Sequence, residues 1–172
     1  MSTGRNCSSR LSVSYADGPR DSGGKRNGMR ILLVNPPRSP HNAIREYAPE
    51  AARRFIHKKL IGPPLGLLTV AGAAREHDVT VLEMKGEYDL HPHAPPPDVL
   101  LTRCMEETKP DVVGITVIAS ELPVSMAILR AVRKADPSVL TVAGGLHATL
   151  CPFDFARPEV DIVCRGQSAH TF

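Results

Sequence analysis

The sequence predicts one doubly wound α/β domain, a parallel sheet of five strands with helices on both faces. Three observations predict it. Short apolar runs recur along the chain, each suited to a strand buried on both sides. Stretches of helical apolar spacing separate them, the alternation that gives a parallel sheet with right-handed crossovers. The runs also end in residues that halt a ladder, Asn35-Pro36-Pro37 after the first and Gly144-Gly145 after the fourth.

The 172 residues suit one domain with a core of useful size. Residues 1–28 read as a disordered leader and 29–172 as the folded domain, with Met29 a candidate start. Much of the cationic excess lies early: Arg5, Arg10, Arg20, Lys25, Arg26 and Arg30 face only Asp17 and Asp21, so the rest of the chain is close to neutral. No nucleic-acid-binding motif follows that basic stretch, so nucleic acid is not an expected partner. No apolar run approaches the roughly 20 residues that span a bilayer, and the amino terminus lacks the apolar centre of a secretory signal. The expectation is a cytoplasmic protein with no membrane contact. Cys7, Cys104, Cys151 and Cys164 form no CxxC pair, so neither a disulfide framework nor a zinc or iron–sulfur site is read from them, and no metal ligand is assigned.

Taken in order, residues 31–34 form the first strand. Residues 38–62 make a long connection in which Arg45, Arg53, Arg54, Lys58 and Lys59 surround Tyr47, Phe55 and Ile56. A short helix over 48–60, acting as a lid on the strand ends, is the functional reading of that insertion. Pro63-Pro64 then opens a helix whose apolar side is Leu65, Leu67, Leu68, Val70 and Ala71, ending near His77. Gly66 and Gly72 would let it pack closely on a sheet. Residues 79–82 are the second strand, followed by a polar, proline-rich segment over 83–97.

Asp98 reads as the N-cap of a helix through Thr108, broken by Lys109-Pro110. The third strand spans 111–118, and the next helix carries the stripe Val124, Ile128, Leu129 and Val132 before Asp136-Pro137 stops it. Strand four is 139–143 and strand five 160–164. Five such strands suggest the flavodoxin-like, Rossmann-type order 2-1-3-4-5, with the last helix missing or truncated. In that order the topological switch, where ligands bind, lies between strands one and three.

The strand ends exclude several users of this architecture. Asn35 and two prolines cannot supply the acidic cluster of a receiver domain. A flavodoxin's hydroxyl-rich phosphate loop is absent after strand one, as are a GxGxxG turn and a Walker A lysine. What remains is a site with few charges, one or two hydroxyls and exposed backbone at a glycine pair. That chemistry suits a large, nearly neutral ligand.

Four motifs in order carry a resemblance: Ile31-Leu32-Leu33-Val34-Asn35-Pro36-Pro37, Pro64-Leu65-Gly66-Leu67-Leu68, Asp111-Val112-Val113-Gly114-Ile115-Thr116 and Gly144-Gly145-Leu146-His147-Ala148-Thr149. With Asp161-Ile162-Val163-Cys164-Arg165-Gly166, they resemble the N-terminal cobalamin-binding domain of cobalamin-dependent radical SAM enzymes, of the class B methyltransferase kind, over about 29–172. The resemblance implies cobalamin held against the sheet, its nucleotide tail entering near strands one, three and four. It gives Thr116 the hydroxyl position, with Val117 beside it and Ser120 a second candidate. Gly144 and Gly145 would let the tail pass, and Asn35, Pro36 and Pro37 would form the opposite wall. His147 would hydrogen-bond near the ligand without ligating cobalt.

The same resemblance implies a downstream radical SAM domain, in cis or in trans, carrying the 4Fe-4S cluster and SAM. This chain would present methylcobalamin for radical methyl transfer and hold no catalytic residue of its own. Gly166-Gln167-Ser168-Ala169-His170 departs from the family's Gly-Glu-Gly-Glu, and no CxxxCxxC is present. Asp89-Leu90-His91-Pro92-His93-Ala94 approaches the DxHxxG of cobalamin mutases, but it follows the second strand and has alanine for glycine, so it reads as a loop. Two other readings stay open: a scaffold or docking domain that has lost the corrinoid, and a stand-alone corrinoid carrier.

Overall fold

Alternation along one strand sets the layers. Leu32 and Val34 face one side of the sheet and Ile31 and Leu33 the other, each 2% exposed or less. In this computed structural model, which describes residues 10–13, 28–38, 49–53, 62–91 and 93–170, those four lie in β2 (Arg30–Asn35), at the middle of a six-stranded sheet. The other strands are β1 (Arg10–Val13), β3 (Asp78–Glu83), β4 (Val112–Thr116), β5 (Leu140–Gly144) and β6 (Ile162–Val163). The sheet order is β1-β3-β2-β4-β5-β6, with only β1 antiparallel. Its five parallel strands therefore have the 2-1-3-4-5 order read from the sequence. The register sets Leu33 beside Val81 and Gly114, and Gly114 beside Val142.

The helices are α1 (Glu50–Arg53), α2 (Leu65–Ala73), α3 (Met84–Leu90), α4 (Pro97–Thr108), α5 (Leu122–Ala135) and α6 (Leu146–Leu150). On one face Leu100, Leu101 and Cys104 of α4 and Met126, Leu129 and Val132 of α5 pack against Leu32, Val34, Val113 and Ile115. Each fully buried side chain there stabilises the fold by about 1.5–3 kcal/mol relative to exposure. On the other face, α2 sets Leu67 and Ala71 against Ile31, Leu33, Val112 and Val142. A network at the opposite end of the strands fixes β6: Asp161 accepts from Thr141 N at 2.8 Å and from Arg133 Nη2 at 2.5 Å.

Several expectations need correction. Residues 10–13 are not part of an irregular leader; they pair with β3 as an edge strand. The segment after β3 is not a loop throughout, because the Glu83 side chain accepts a hydrogen bond from Gly86 N at 3.1 Å and starts α3. Helix α2 ends at Ala73, where Ala74 N closes the last turn on Val70 O, short of His77. Pro96, not Asp98, occupies the N-cap of α4, leaving Asp98 in the first turn. The other end of α4 matches its punctuation: Lys109 takes a left-handed conformation, φ 46°, before Pro110. After β6 comes only a short 3-10 turn, Ser168–His170, among the described residues. Of the cationic insertion, Arg45, Tyr47, Arg54, Phe55, Ile56, Lys58 and Lys59 lie outside the described residues, as does the proposed lid apart from residues 49–53. Among the described residues no helix is long and apolar enough to cross a membrane.

Candidate functional site

A pocket of about 410 Å³ opens at the carboxyl end of the sheet, on the α2 face. Its floor is Leu33 of β2, Gly114 and Thr116 of β4, and Val142 and Gly144 of β5. Gly66, Leu67, Thr69 and Val70 of α2 form one wall, and Cys164 with residues 166–169 forms the other. Among the described residues no lining residue is charged. The pocket exists because the floor side chains shrink toward the strand ends, where Gly114 and Gly144 carry no side chain. The Thr116 hydroxyl faces this space without a hydrogen-bond partner among the described residues.

The two glycines of the turn do different work. Gly145 has φ +94°, and a Cβ there would lie 2.7 Å from Thr116 Oγ1 and 2.8 Å from Val117 N, so only glycine fits. Gly144 would bring its Cβ no closer than 3.8 Å to Cys164 Cβ and 3.9 Å to Ser168 Oγ. A Cβ there makes only ordinary contact with the Cys164–Ser168 wall, and a longer side chain would occupy the pocket. The turn is laced to β4 by Val117 N donating to Gly144 O (2.9 Å) and His147 N donating to Val117 O (3.0 Å). Thr149 completes the rim, its Oγ1 donating to Gly145 O at 2.9 Å and accepting from Gly166 N at 2.9 Å.

Of the residues singled out from the sequence, the pocket gathers Thr116, Gly144 and Gly145. The others lie elsewhere. Val117 is fully buried, its backbone committed to the glycine turn. Asn35 is buried and donates from Nδ2 to Glu83 Oε2 at 2.6 Å. Pro36 is buried, and Pro37 lines a separate recess with Lys85, Tyr88 and Val124. Ser120 is exposed in the turn Ala119–Glu121. His147 points away from the pocket, its Nε2 2.8 Å from Asp154 Oδ2 and its ring edge-on to Phe155.

Sequence reasoning missed Gly114, Thr69 and Val70 as lining residues, and took Gly66 only as a packing glycine. A signal existed: a glycine inside an otherwise apolar strand marks close approach of another group.

Beside the switch, Glu121 is 3% exposed and 2.9 Å from Lys85 Nζ. Burial pushes its carboxyl above the ordinary range, against the pull of Lys85, and its Oε2 has no hydrogen-bond partner. A larger recess of about 670 Å³ at the amino ends of the strands is lined by Arg30, Lys109 and Asp111 among others. Its floor is a closed ion pair, Arg30 Nη2 to Asp111 Oδ1 at 2.7 Å, and open α/β sheets bind ligands at the other end.

A doubly wound sheet with a largely apolar, glycine-floored pocket at its carboxyl edge defines a domain built to hold a large organic cofactor. The family model of the B12 binding domain matches residues 55–172, and the chain belongs to that family. The cofactor the family implies is therefore a corrinoid. The residues present fit it: apolar walls suit the flat base of a nucleotide tail, Thr116 offers a hydroxyl, and Gly144 leaves the backbone open. Among curated proteins none matches the chain.

Proposed function

We propose that the chain is the cobalamin-binding module of a radical SAM enzyme, with the nucleotide tail seated in the pocket between α2 and the sheet. The supporting observation is that pocket: a lining without charge among the described residues, at the strand ends where the fold binds ligands, in a member of the B12 binding domain family. A volume of about 410 Å³ takes a drug-sized group and not a whole corrinoid, so the ring belongs outside, over the strand ends. Helix α2 supports the same reading. It is apolar nearly all round, yet among its residues only Leu67 and Ala71 are buried, and a helix of that kind is expected to be covered.

In this reading Thr116 hydrogen-bonds the tail, Gly144 and Gly114 give it room, and Val142, Leu33 and Val70 exclude water from it. When bound, methylcobalamin supplies the methyl group, and the chain's task is orientation. The radical SAM domain, with its 4Fe-4S cluster and SAM, is a partner in cis or in trans, and methyl transfer is the proposed outcome. The stand-alone carrier is disfavoured by Asn35-Pro36-Pro37 after β2, where such carriers place their cobalt-ligating histidine.

The experiment is a visible spectrum of the full chain after incubation with hydroxocobalamin and desalting. Corrinoid bands should persist, and Gly144→Leu and Thr116→Leu, which fill the pocket and remove the hydroxyl, should each weaken retention by roughly tenfold or more, equivalent to about 1.4 kcal/mol. Desalted wild-type protein with no corrinoid bands would point to the scaffold reading.

A further inference from the structure

We propose that His147, Cys151 and Asp154 bind a borderline-soft divalent cation, zinc by its chemistry, on the rim beside the glycine turn. The site uses none of the pocket's lining residues and does not depend on the corrinoid reading.

The backbone brings the three side chains together. Cys151 N donates to His147 O at 2.8 Å, and Asp154 N to Cys151 O at 3.2 Å, so the chain passes from α6 into the 3-10 turn Pro152–Phe155 in two successive coils. Positions 147, 151 and 154 thus fall on one side, at the four- and three-residue spacings that stack side chains. An imidazole nitrogen, a thiol sulfur and a carboxylate oxygen result, all within 4.8 Å of one another.

The imidazole is already positioned. Its side chain is 12% exposed, and its ring meets the edge of Phe155 at 5.7 Å between centroids and 61° between planes. Phe155 is itself 1% exposed, a rigid backing. Asp154 and Cys151 are exposed, so an ion has access from solvent. Arg157 Nε donates to the Asp154 backbone carbonyl at 2.9 Å and leaves that carboxylate to His147.

The donor set selects the ion. Nitrogen, sulfur and oxygen together suit zinc, whereas magnesium and calcium prefer oxygen alone. Zinc bonds of about 2.0–2.3 Å hold tetrahedral donors about 3.3–3.8 Å apart. The His147–Asp154 pair, at 2.8 Å, opens slightly on binding, and side-chain rotation closes the remaining spread. Three protein donors leave a fourth position for water or a partner's ligand. A hydrogen bond between His147 and Asp154 explains that pair without an ion, but not the thiol arriving at the same point. Bound there, the ion joins α6 to the following turn and stiffens the rim next to Gly145.

The test uses the full chain, free of metal and corrinoid, titrated with Zn²⁺ by calorimetry and with Co²⁺ by absorption. One equivalent should bind, and Co²⁺ should give a thiolate-to-metal charge-transfer band. Cys151→Ser, at an exposed position that circular dichroism can show to be folded, should abolish the band. It should also weaken Zn²⁺ binding by at least about tenfold, the lower end of what losing an outer-shell partner costs. Asp154→Asn should weaken binding as well, while Cys164→Ser keeps band and affinity. No binding by the wild type, or equal band and affinity in Cys151→Ser, overturns the site. Hydroxocobalamin retention by the same metal-free protein reports separately on the corrinoid reading.

Discussion

The two faces of the sheet are covered to different degrees. Under α4 and α5 the strands present Leu32, Val34, Val113 and Ile115, and the helices answer with Leu100, Leu101, Met126 and Leu129, all at 3% exposure or less. Under α2 the strands present Leu33 and Val142, but also Gly114, Thr116 and Gly144, and the helix answers with Gly66, Thr69 and Val70. Large opposed to large closes a core at crystal-like density. Small opposed to small leaves a cavity, which is how one sheet is structural on one side and receptive on the other.

The largest test of this contrast is truncation on each face. Leu129→Ala, at 0% exposure, should cost about 3–4 kcal/mol in urea denaturation, within the usual range for a packed leucine. Leu67→Ala, at the pocket edge, should cost about 1–2 kcal/mol, because its removal enlarges a space already open to solvent. Equal losses would show that the α2 face is packed as tightly as the other.

The glycine turn sharpens the comparison at single-atom scale. Gly145→Ala forces an alanine to φ +94° and a Cβ into Thr116 and Val117, which should cost roughly 2–3 kcal/mol. Gly144→Ala meets only ordinary contacts at 3.8 Å and beyond, and should change stability by less than about 1 kcal/mol, with stabilisation allowed by the stiffer unfolded chain. Similar thermal midpoints for the two variants would contradict the division of labour between them.

The smallest effect is electrostatic and lies far from the pocket. Hydrogen bonds from the Arg30 side chain and backbone hold the Asp111 carboxyl down at about 2. A carboxyl lowered in the folded state contributes stability above its unfolded value that is lost as pH falls through the folded one. The loss therefore belongs between about pH 4 and pH 2. Since Asp111 is 43% exposed, solvent screening limits the pair to under about 1 kcal/mol. Asp111→Asn should flatten that part of the stability–pH curve and leave corrinoid retention unchanged.

How much of this was legible in the sequence differs by element. β2 and β4 were, because runs apolar on both faces have few homes other than the centre of a parallel sheet. The strand order followed from the strand count and the known geometry of such sheets. Strand β1 was not legible: four residues in a polar, basic stretch acquire a strand by pairing with an exposed edge. Helix α3 was hidden by Gly86 and the prolines after it, and rests on the Glu83 side-chain cap. At the site, the glycine pair was visible as punctuation and Thr116 as a strand-end hydroxyl. The wall from α2 was not, because its residues are separated from β4 by some forty positions.

The sequence by itself determined the five parallel strands, which ends of them carry small residues, and how little charge those ends hold. These are local properties of pattern and composition. Tertiary structure alone decided that Asn35 and His147 turn to Glu83 and Asp154 and not to the pocket, that Gly145 and not Gly144 needs a left-handed backbone, and that α2 leaves the floor partly uncovered. Each of those outcomes depends on what another part of the chain places within a few ångströms, and no periodicity within one segment encodes its neighbour across the sheet.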